Sequence, residues 1–455
     1  MSRHNHPNGE QNSSRLTRRG VLGASGAALA AGLSGCAGLT GGGTSNNDSS
    51  ADGETQIDYW FYFGAAERDV MANLITEFNE MDNGIQVNEQ GVPFGEFLNK
   101  LFTAVNADNS PHVASYFGSF GQYLKPITHP IDDYLSSGAS NKYFDFAWDS
   151  LQVSGSTYAL PIDIHGKALY TNENVLESAG VDPDFTSWES FSNACDTIVS
   201  DSDARPFSFL NWRSGQEAFR AYTSALTQAG GNVLTGDPGN YQVAYDNDIG
   251  LETAQLMANI TGEFGWDTPT FQSDSARVED FIAGNLAMFI AGTWSINNLK
   301  NESGEVYEDL ALNFERPFMF PGDGDNVAWC ESNSLFFPNN ANHDEAEKQA
   351  AVEFAEFVTQ NNAEWATAGG HLPASQSVAE SSAVKNTALW QDIGTISTMH
   401  EMVTNEQVRY QPSTSVDLNS SRFWGSFLDM YLQNTDVQTG VQSSASELQS
   451  ALDNA

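Results

Sequence analysis

Trp294 closes the run Ala287-Met288-Phe289-Ile290-Ala291-Gly292-Thr293-Trp294. A large ring set just past a short buried strand and a glycine is a candidate binding platform. Phe63 and Glu67 follow a first apolar run, Tyr116 and Phe117 end another, and Trp212 is the one large ring of the polar stretch Asn211-Trp212-Arg213-Ser214-Gly215-Gln216. Asp163 with His165, and Trp329 with Glu331, add acids and an imidazole beside further rings. Such a set suits the holding of a polyol. Rings stack on C–H faces, while carboxylates and amides pair with hydroxyls. Each position also has a plainer reading: a core Trp under a loop, an acid at a helix start, an ion pair at a chain crossing.

Catalysis has no comparable footing. With 59 acidic residues, carboxylate pairs arise by chance, so a glycosidase reading rests on nothing specific. There is no G-x-S-x-G elbow, no H-E-x-x-H and no phosphate loop. The eight histidines show no metal spacing. No cofactor and no metal is expected.

The elements that must carry these side chains read as α/β. Gln56 to Tyr62 is a strand, and a helix from about Glu67 to Met81 turns Val70, Leu74 and Phe78 inward. Ile85-Gln86-Val87 is the next strand, Phe94 to Ala107 the next helix, and His112 to Phe117 a third strand. This alternation predicts a parallel sheet, whose ligands bind at the carboxyl ends of the strands. Phe63, Tyr116 and Phe117 fall there. A second α/β region opens with the strand Ala168 to Asn172, and Ser187 caps the helix carrying Trp188, Phe191 and Ile198. Helices follow at Glu217 to Ala229, Leu251 to Ile260 and Val278 to Ile282, then strands at Ala287 to Ile290 and Ser334 to Phe337 and a helix at Asp344 to Gln360. A polar helical stretch with Phe423, Trp424, Phe427, Leu428 and Tyr431 on one face ends the chain.

The first 35 residues read as an export address. Arg18-Arg19 resembles a twin-arginine signal, and the apolar run from Val21 to Gly35 is shorter than the roughly 20 residues that span a bilayer. Leu33-Ser34-Gly35-Cys36 resembles a lipobox, so Cys36 is expected to carry lipid and anchor the chain to the outer face of the cell membrane. Residues 36–54 have little to bury and read as a flexible tether. Loss of the signal removes four arginines and one glutamate, taking the net charge from −40 to −43. That surface repels nucleic acid. Acid excess with only seven lysines resembles proteins of extreme halophiles. Cys195 and Cys330 lie far apart in sequence; pairing outside the cell is open to them, and isolated buried thiols are the preferred reading.

Three segments resemble the extracellular solute-binding proteins of ABC sugar importers, the maltose-binding type (family 1). One is Gly155-Ser156-Thr157-Tyr158-Ala159-Leu160-Pro161 with Ala168-Leu169-Tyr170-Thr171-Asn172 and the Ala179-Gly180-Val181 turn before Trp188. Another is Phe281-Ile282-Ala283-Gly284-Asn285-Leu286-Ala287-Met288 with Gly292-Thr293-Trp294. The last is the helix Glu345 to Val358 with Gly369-Gly370-His371-Leu372-Pro373-Ala374. The resemblance runs over roughly residues 55–375 in family order; Ile164-His165-Gly166-Lys167 departs from the family's more apolar stretch.

It implies a two-lobe, periplasmic-binding-protein-like (type II) α/β fold. Lobe one would be 55–162 with 330–370, and lobe two 163–329 with 371–455. The hinge would comprise crossings near Pro161, Trp329 and Leu372, which brings Asp163, His165, Trp329 and Glu331 to the junction and makes Trp294 the cleft Trp. The implied function is a monomeric, non-enzymatic receptor that passes a sugar or oligosaccharide to an ABC import permease. Two other ligand classes remain open on this fold, a polyamine and a glycerol phosphate ester. The eight arginines left after the signal disfavour the phosphate, while the acid excess suits a polyamine.

Overall fold

Period-two alternation builds the first sheet. In β1 (Thr55–Phe61) Ile57, Tyr59 and Phe61 are fully buried on one face, while Trp60 packs on the other. The computed structural model of the protein describes residues 54–455 except 184, 186, 211–213, 238, 270–272, 301–311, 316–323 and 325–326. The export segment, Cys36, the tether and Trp212 therefore lie outside the described residues.

After β1 come α1 (Ala65–Asn79), β2 (Ile85–Gly91), α2 (Phe94–Asn106) and β3 (Val113–Phe117). The helix faces are those the spacing predicts: Val70, Leu74 and Phe78 of α1 and Phe97 and Leu101 of α2 are buried. β4 (Ala159–Pro161) is separated by Ile162 alone from β5 (Asp163–Asn172). Then follow α3 (Trp188–Asp201), β6 (Arg205–Ser208), α4 (Gly215–Gln228), α5 (Asp248–Thr261), β7 (Leu286–Gly292), β8 (Leu312–Glu315), β9 (Ala328–Glu331) and β10 (Asn333–Phe336). The chain ends with α6 (Glu345–Asn361), β11 (Leu372–Pro373), β12 (Val408–Tyr410), α7 (Ser421–Tyr431) and α8 (Val437–Asp453), with short helices between β11 and β12.

The first sheet has the order β2-β1-β3-β10-β4. β1 is parallel to β2 and β3, and β10 runs antiparallel to β3 and β4. The second sheet has the order β12-β9-β5-β7-β6, with β8 and β11 also paired to β5. All ten residues of β5 are buried. They pair in turn with β11 at 163–164, β9 at 165–166, β7 at 167–171 and β8 at 169–172. The sequence places only 168–172 in a strand. Asp163, His165 and Lys167 hide the rest, because their polar groups are paired internally rather than exposed. Gly166 admits β9: a Cβ there would lie 2.8 Å from the Trp329 carbonyl oxygen.

The largest core joins β1, α1, β10 and α6 and includes Ile396, Met399 and Val403 from the segment between β11 and β12. A second core holds Phe191, Phe207, Phe219 and Tyr222 against Trp424, Phe427 and Tyr431 of α7. A smaller one lies on the α2 face of the first sheet. α6 starts on a capping box, in which Asp344 accepts the Glu347 N–H (2.9 Å) and Glu347 accepts the Asp344 N–H (2.8 Å). Cys195 and Cys330 are buried and unbridged. Among the described residues no helix is long and apolar enough to cross a membrane.

Candidate functional site

The carboxyl ends of β1 and β3 lie side by side, and α2 begins next to them. This brings Tyr62, Phe117 and Phe94 together as one aromatic wall. Tyr62 meets Phe94 at 5.3 Å and Phe117 at 5.7 Å between ring centroids, both edge-on. Phe94 is exposed, which is unusual for so large an apolar ring. Phe63 and Glu67 border the same space from the start of α1.

A second group of side chains comes from the second sheet. Trp294 follows β7 and folds back over Gly292, so closely that a Cβ at 292 would lie 2.3 Å from its ring. The Arg220 guanidinium of α4 lies 4.5 Å from the Trp329 ring centroid, 5.4 Å from that of Trp294 and 5.7 Å from that of Phe117. Glu217 balances this charge, at 3.5 Å from Arg220 and in contact with the Lys167 ammonium. Arg220 is buried, and its Nε pairs with no group among the described residues. Gln216 stands one turn before it on the same face of α4. Together these groups enclose a cleft of about 330 Å³, within the ~300–1,000 Å³ usual for small-molecule sites.

The floor is a polar relay centred on Asp163. Its Oδ1 accepts the Asn333 N–H (2.9 Å) and bonds His165 Nδ1 (2.9 Å). Its Oδ2 accepts the Asn333 amide (2.6 Å) and Trp365 Nε1–H (2.6 Å). Asn333 in turn accepts the Tyr62 hydroxyl. Burial opposes the Asp163 charge, but His371, His165 and these donors outweigh it and bring the carboxyl down to about 2. Burial drives His165 down to about 4, so the imidazole is neutral at neutral pH. With Nδ1 engaged by Asp163, His165 keeps Nε2 as an acceptor on the cleft. His371 behaves oppositely. Burial lowers it, yet Asp163 and the Glu67 carboxylate 3.2 Å away raise it above the ordinary histidine value.

Asp163, His165 and His371 form the one cluster of metal-ligand type found among the described residues, with ligand atoms within 4.8 Å of one another. The donor set does not suit an ion. Both Asp163 oxygens already accept two hydrogen bonds each, and Glu67 draws off His371. The arrangement orients neutral and weakly charged hydrogen-bonding groups toward a small molecule.

Of the residues singled out by sequence, Phe63, Glu67, Phe117, His165 and Trp294 border this cleft. Tyr116 stands beside it, on an adjoining chamber. Asp163, Trp329 and Glu331, expected at the ligand, stand fully buried behind the wall. Their polar atoms are already taken: Trp329 Nε1–H donates to Gln411 (3.1 Å), and Glu331 accepts the Ser119 N–H (3.0 Å), the Ser119 hydroxyl and the Ser332 N–H (3.1 Å). Burial pushes Glu331 up to about 7 despite these donors. Sequence reasoning passes over Tyr62, Phe94, Gln216, Arg220, Asn333 and His371. Gln216 and Arg220 lie four apart on α4, but that buried helix also carries Glu217, Thr223, Ser224, Thr227 and Gln228, so polarity alone does not single them out. Tyr62 is the last residue read into the first strand, and Asn333 directly precedes the strand read from Ser334.

Residues 73–391 match the family described as bacterial extracellular solute-binding protein. A binding protein of Brucella abortus (strain 2308) is 24% identical over 240 residues, 51% of this chain; the chain thus spans 57% of that relative's length. The arabinooligosaccharide-binding protein of Bacillus subtilis (strain 168) is 20% identical over 337 residues, 72% of this chain and 75% of that protein. Among solved structures, the cyclic alpha-maltosyl-1,6-maltose binding protein from Arthrobacter globiformis superposes with a TM-score of 0.73 at 18% identity, covering 89% of this chain and all of that one. UgpB from Mycobacterium tuberculosis, in complex with glycerophosphocholine, gives a TM-score of 0.71 at 19% identity over 88% of this chain and 99% of that one. The architecture is the two-lobe, type II binding-protein fold. With the family match covering well over half of its length, the chain belongs to the bacterial extracellular solute-binding protein family.

Proposed function

We propose that the protein is a receptor that closes two lobes on a sugar or oligosaccharide and presents it to an ABC import permease. The observation that carries this reading is the pairing inside one cleft of Trp294 and an aromatic wall with Asn333, Gln216 and a neutral His165. Rings take the C–H faces of a sugar, and the amides and imidazole take its hydroxyls. The lobes would divide as 55–162 with 330–370 and 163–329 with 371–455. Lipidation of Cys36 would hold the receptor at the cell surface, within reach of its permease. No reaction is assigned to the cleft.

Isothermal titration of mono- and oligosaccharides in molar salt tests the reading. Heat of binding for at least one sugar is expected; none from any sugar, with the protein shown folded, removes it. A polyamine is poorly served, since among the described residues Glu67 is the one carboxylate on the cleft wall and His371 engages it. A glycerol phosphate ester has one observation in its favour, the buried Arg220 with its unpaired Nε. Thermal-shift competition between glycerophosphocholine and the best sugar decides between the two.

A further inference from the structure

Arg220 and Arg277 are both buried, and the fold treats them differently. The Arg277 guanidinium meets Asp267 with both prongs, Nη1 to Oδ1 at 3.2 Å and Nη2 to Oδ2 at 3.5 Å. A planar fork set on a planar carboxylate is the strong form of this bond. Arg220 receives nothing of the kind. Among the described residues Glu217 is the one acid in ion-pair reach of it. That carboxylate is turned to Lys167 through Oε2. Its Oε1 stands 3.5 Å from Arg220 Nη1, yet it accepts no hydrogen bond among the described residues. A buried cation without a bonded partner is costly.

The place of the guanidinium shows where that partner comes from. Its carbon lies 5.4 Å from the Trp294 ring centroid and 5.7 Å from that of Phe117, and both rings border the cleft. Arg220 borders it too, with Gln216 one turn before. Nε is buried, so the contact falls to the two terminal nitrogens. The rest of the wall offers an anion little repulsion. Among the described residues Glu67 is its one carboxylate, and His371 engages it at 3.2 Å. The net charge of −40 repels anions at long range. In molar salt the screening length falls to about 3 Å, while a buried contact is screened much less.

Resting on the sugar reading above, we infer that the ligand is an acidic sugar, a uronic acid or an oligosaccharide carrying one, with its carboxylate on the Arg220 fork. That carboxylate takes the part at Arg220 that Asp267 plays at Arg277. The sugar ring packs on Trp294, and its hydroxyls take Gln216, Asn333 and His165. One negative charge suits the site better than the two of a phosphate monoester, with Glu217 and Glu67 close by.

Titration calorimetry on the full chain in molar potassium chloride tests this with matched ligands. Glucose is compared with glucuronate, galactose with galacturonate, mannose with mannuronate, and trigalacturonate with its methyl ester. Maltotriose, arabinotriose and glycerophosphocholine complete the set. In at least one pair the acid is expected to bind about tenfold or more tightly than its neutral partner, the gain of a charge-assisted bond. The methyl ester of that acid, close to it in size but uncharged, should lose the gain; this arm needs no variant. Arg220→Gln, shown folded by circular dichroism, should bring the ratio of acid to neutral affinity to about one. A variant that weakens both partners equally, leaving the ratio as it was, overturns the inference. So does a neutral sugar that binds as tightly as every uronate, and that result leaves the sugar reading standing. Glycerophosphocholine binding more tightly than every uronate overturns it in favour of a phosphate ester. Absence of binding by every sugar and every uronate overturns the inference and the sugar reading together.

Discussion

Arg220 and Glu331 show how differently two buried charges are treated a short distance apart. Arg220 keeps its charge by lying among the rings of Trp329, Trp294 and Phe117 with Glu217 alongside. Glu331 has hydrogen-bond donors, yet burial still lifts it to about 7. Its native value lies above the ~4.3 of an unfolded chain, so the folded state holds the proton more tightly. Its contribution to stability therefore falls as pH rises from about 4 to about 7 and stays low above that. Glu331→Gln keeps an acceptor for the two backbone N–H groups and turns an amide donor to the Ser119 hydroxyl. The variant should be more stable than the parent by roughly 3 kcal/mol at pH 9, with the difference gone near pH 4. Denaturant melts at both pH values read this directly, and equal differences at the two would refute it. Asp163 has the opposite sign, since its depressed carboxyl stabilises the fold above about pH 4 and loses that effect as pH falls through about 2. At the cleft surface, Trp294→Ala should weaken the best sugar at least ~10-fold with little change in melting temperature, as measured by calorimetry and thermal shift. Unchanged affinity would remove Trp294 from the binding surface. Of these residues, Trp294 was legible in sequence through the strand, glycine and family pattern around it. The fates of Asp163 and Glu331 were not, because a carboxylate near a chain crossing looks alike whether it faces ligand or its own hydrogen-bond partners.

The elements that matter most are β5 and β7. β5 links the two sheets through Ile162, carries His165 to the cleft and Lys167 to Glu217, and accepts four partner strands. Helices were well marked in sequence, because their apolar faces recur at helical spacing and several ends carry capping residues such as Ser187 and Asp344. The first half of β5 was not, since a strand whose polar residues are paired inside the molecule has no hydropathy pattern to show. β7 ends at Gly292, and the bare backbone there is the seat of the Trp294 ring. Gly292→Ala should displace that ring and cost sugar affinity on the scale of Trp294→Ala. The fold should survive with a loss of about 1–3 kcal/mol, the usual cost of overpacking. Calorimetry on the two single variants and the double variant tests the link: the effects should not add, and full additivity would show that Gly292 acts independently.

For the molecule as a whole, charge is the dominant parameter. A formal net charge of −40 on 455 residues stores repulsion that dissolved ions relieve. The melting temperature is expected to climb as potassium chloride is raised from ~0.1 M, where the screening length is about 10 Å, to molar concentration, where it is about 3 Å. A melting temperature independent of salt would count against a fold adapted to brine. The chain-wide pattern of strands and helices made the α/β class legible from the sequence, and the family resemblance supplied the two-lobe architecture. The geometry of the cleft was less legible, because it joins residues on or beside β1, α2, β5, α4, β7, β10 and β11 that are up to 309 positions apart, as Tyr62 and His371 are. One last property follows from where the indoles sit. Trp266, Trp329, Trp365 and Trp424 are sealed in the interior, Trp60, Trp148, Trp188 and Trp390 are half-buried away from the cleft lining, and Trp294, also half-buried, is the one described tryptophan on the cleft wall. Under ultraviolet excitation the rings off the cleft contribute a background. The Trp294 ring is expected to shift colour as solvent is exchanged for cargo, and a Trp294→Phe variant that keeps the full shift would remove this optical gauge of occupancy.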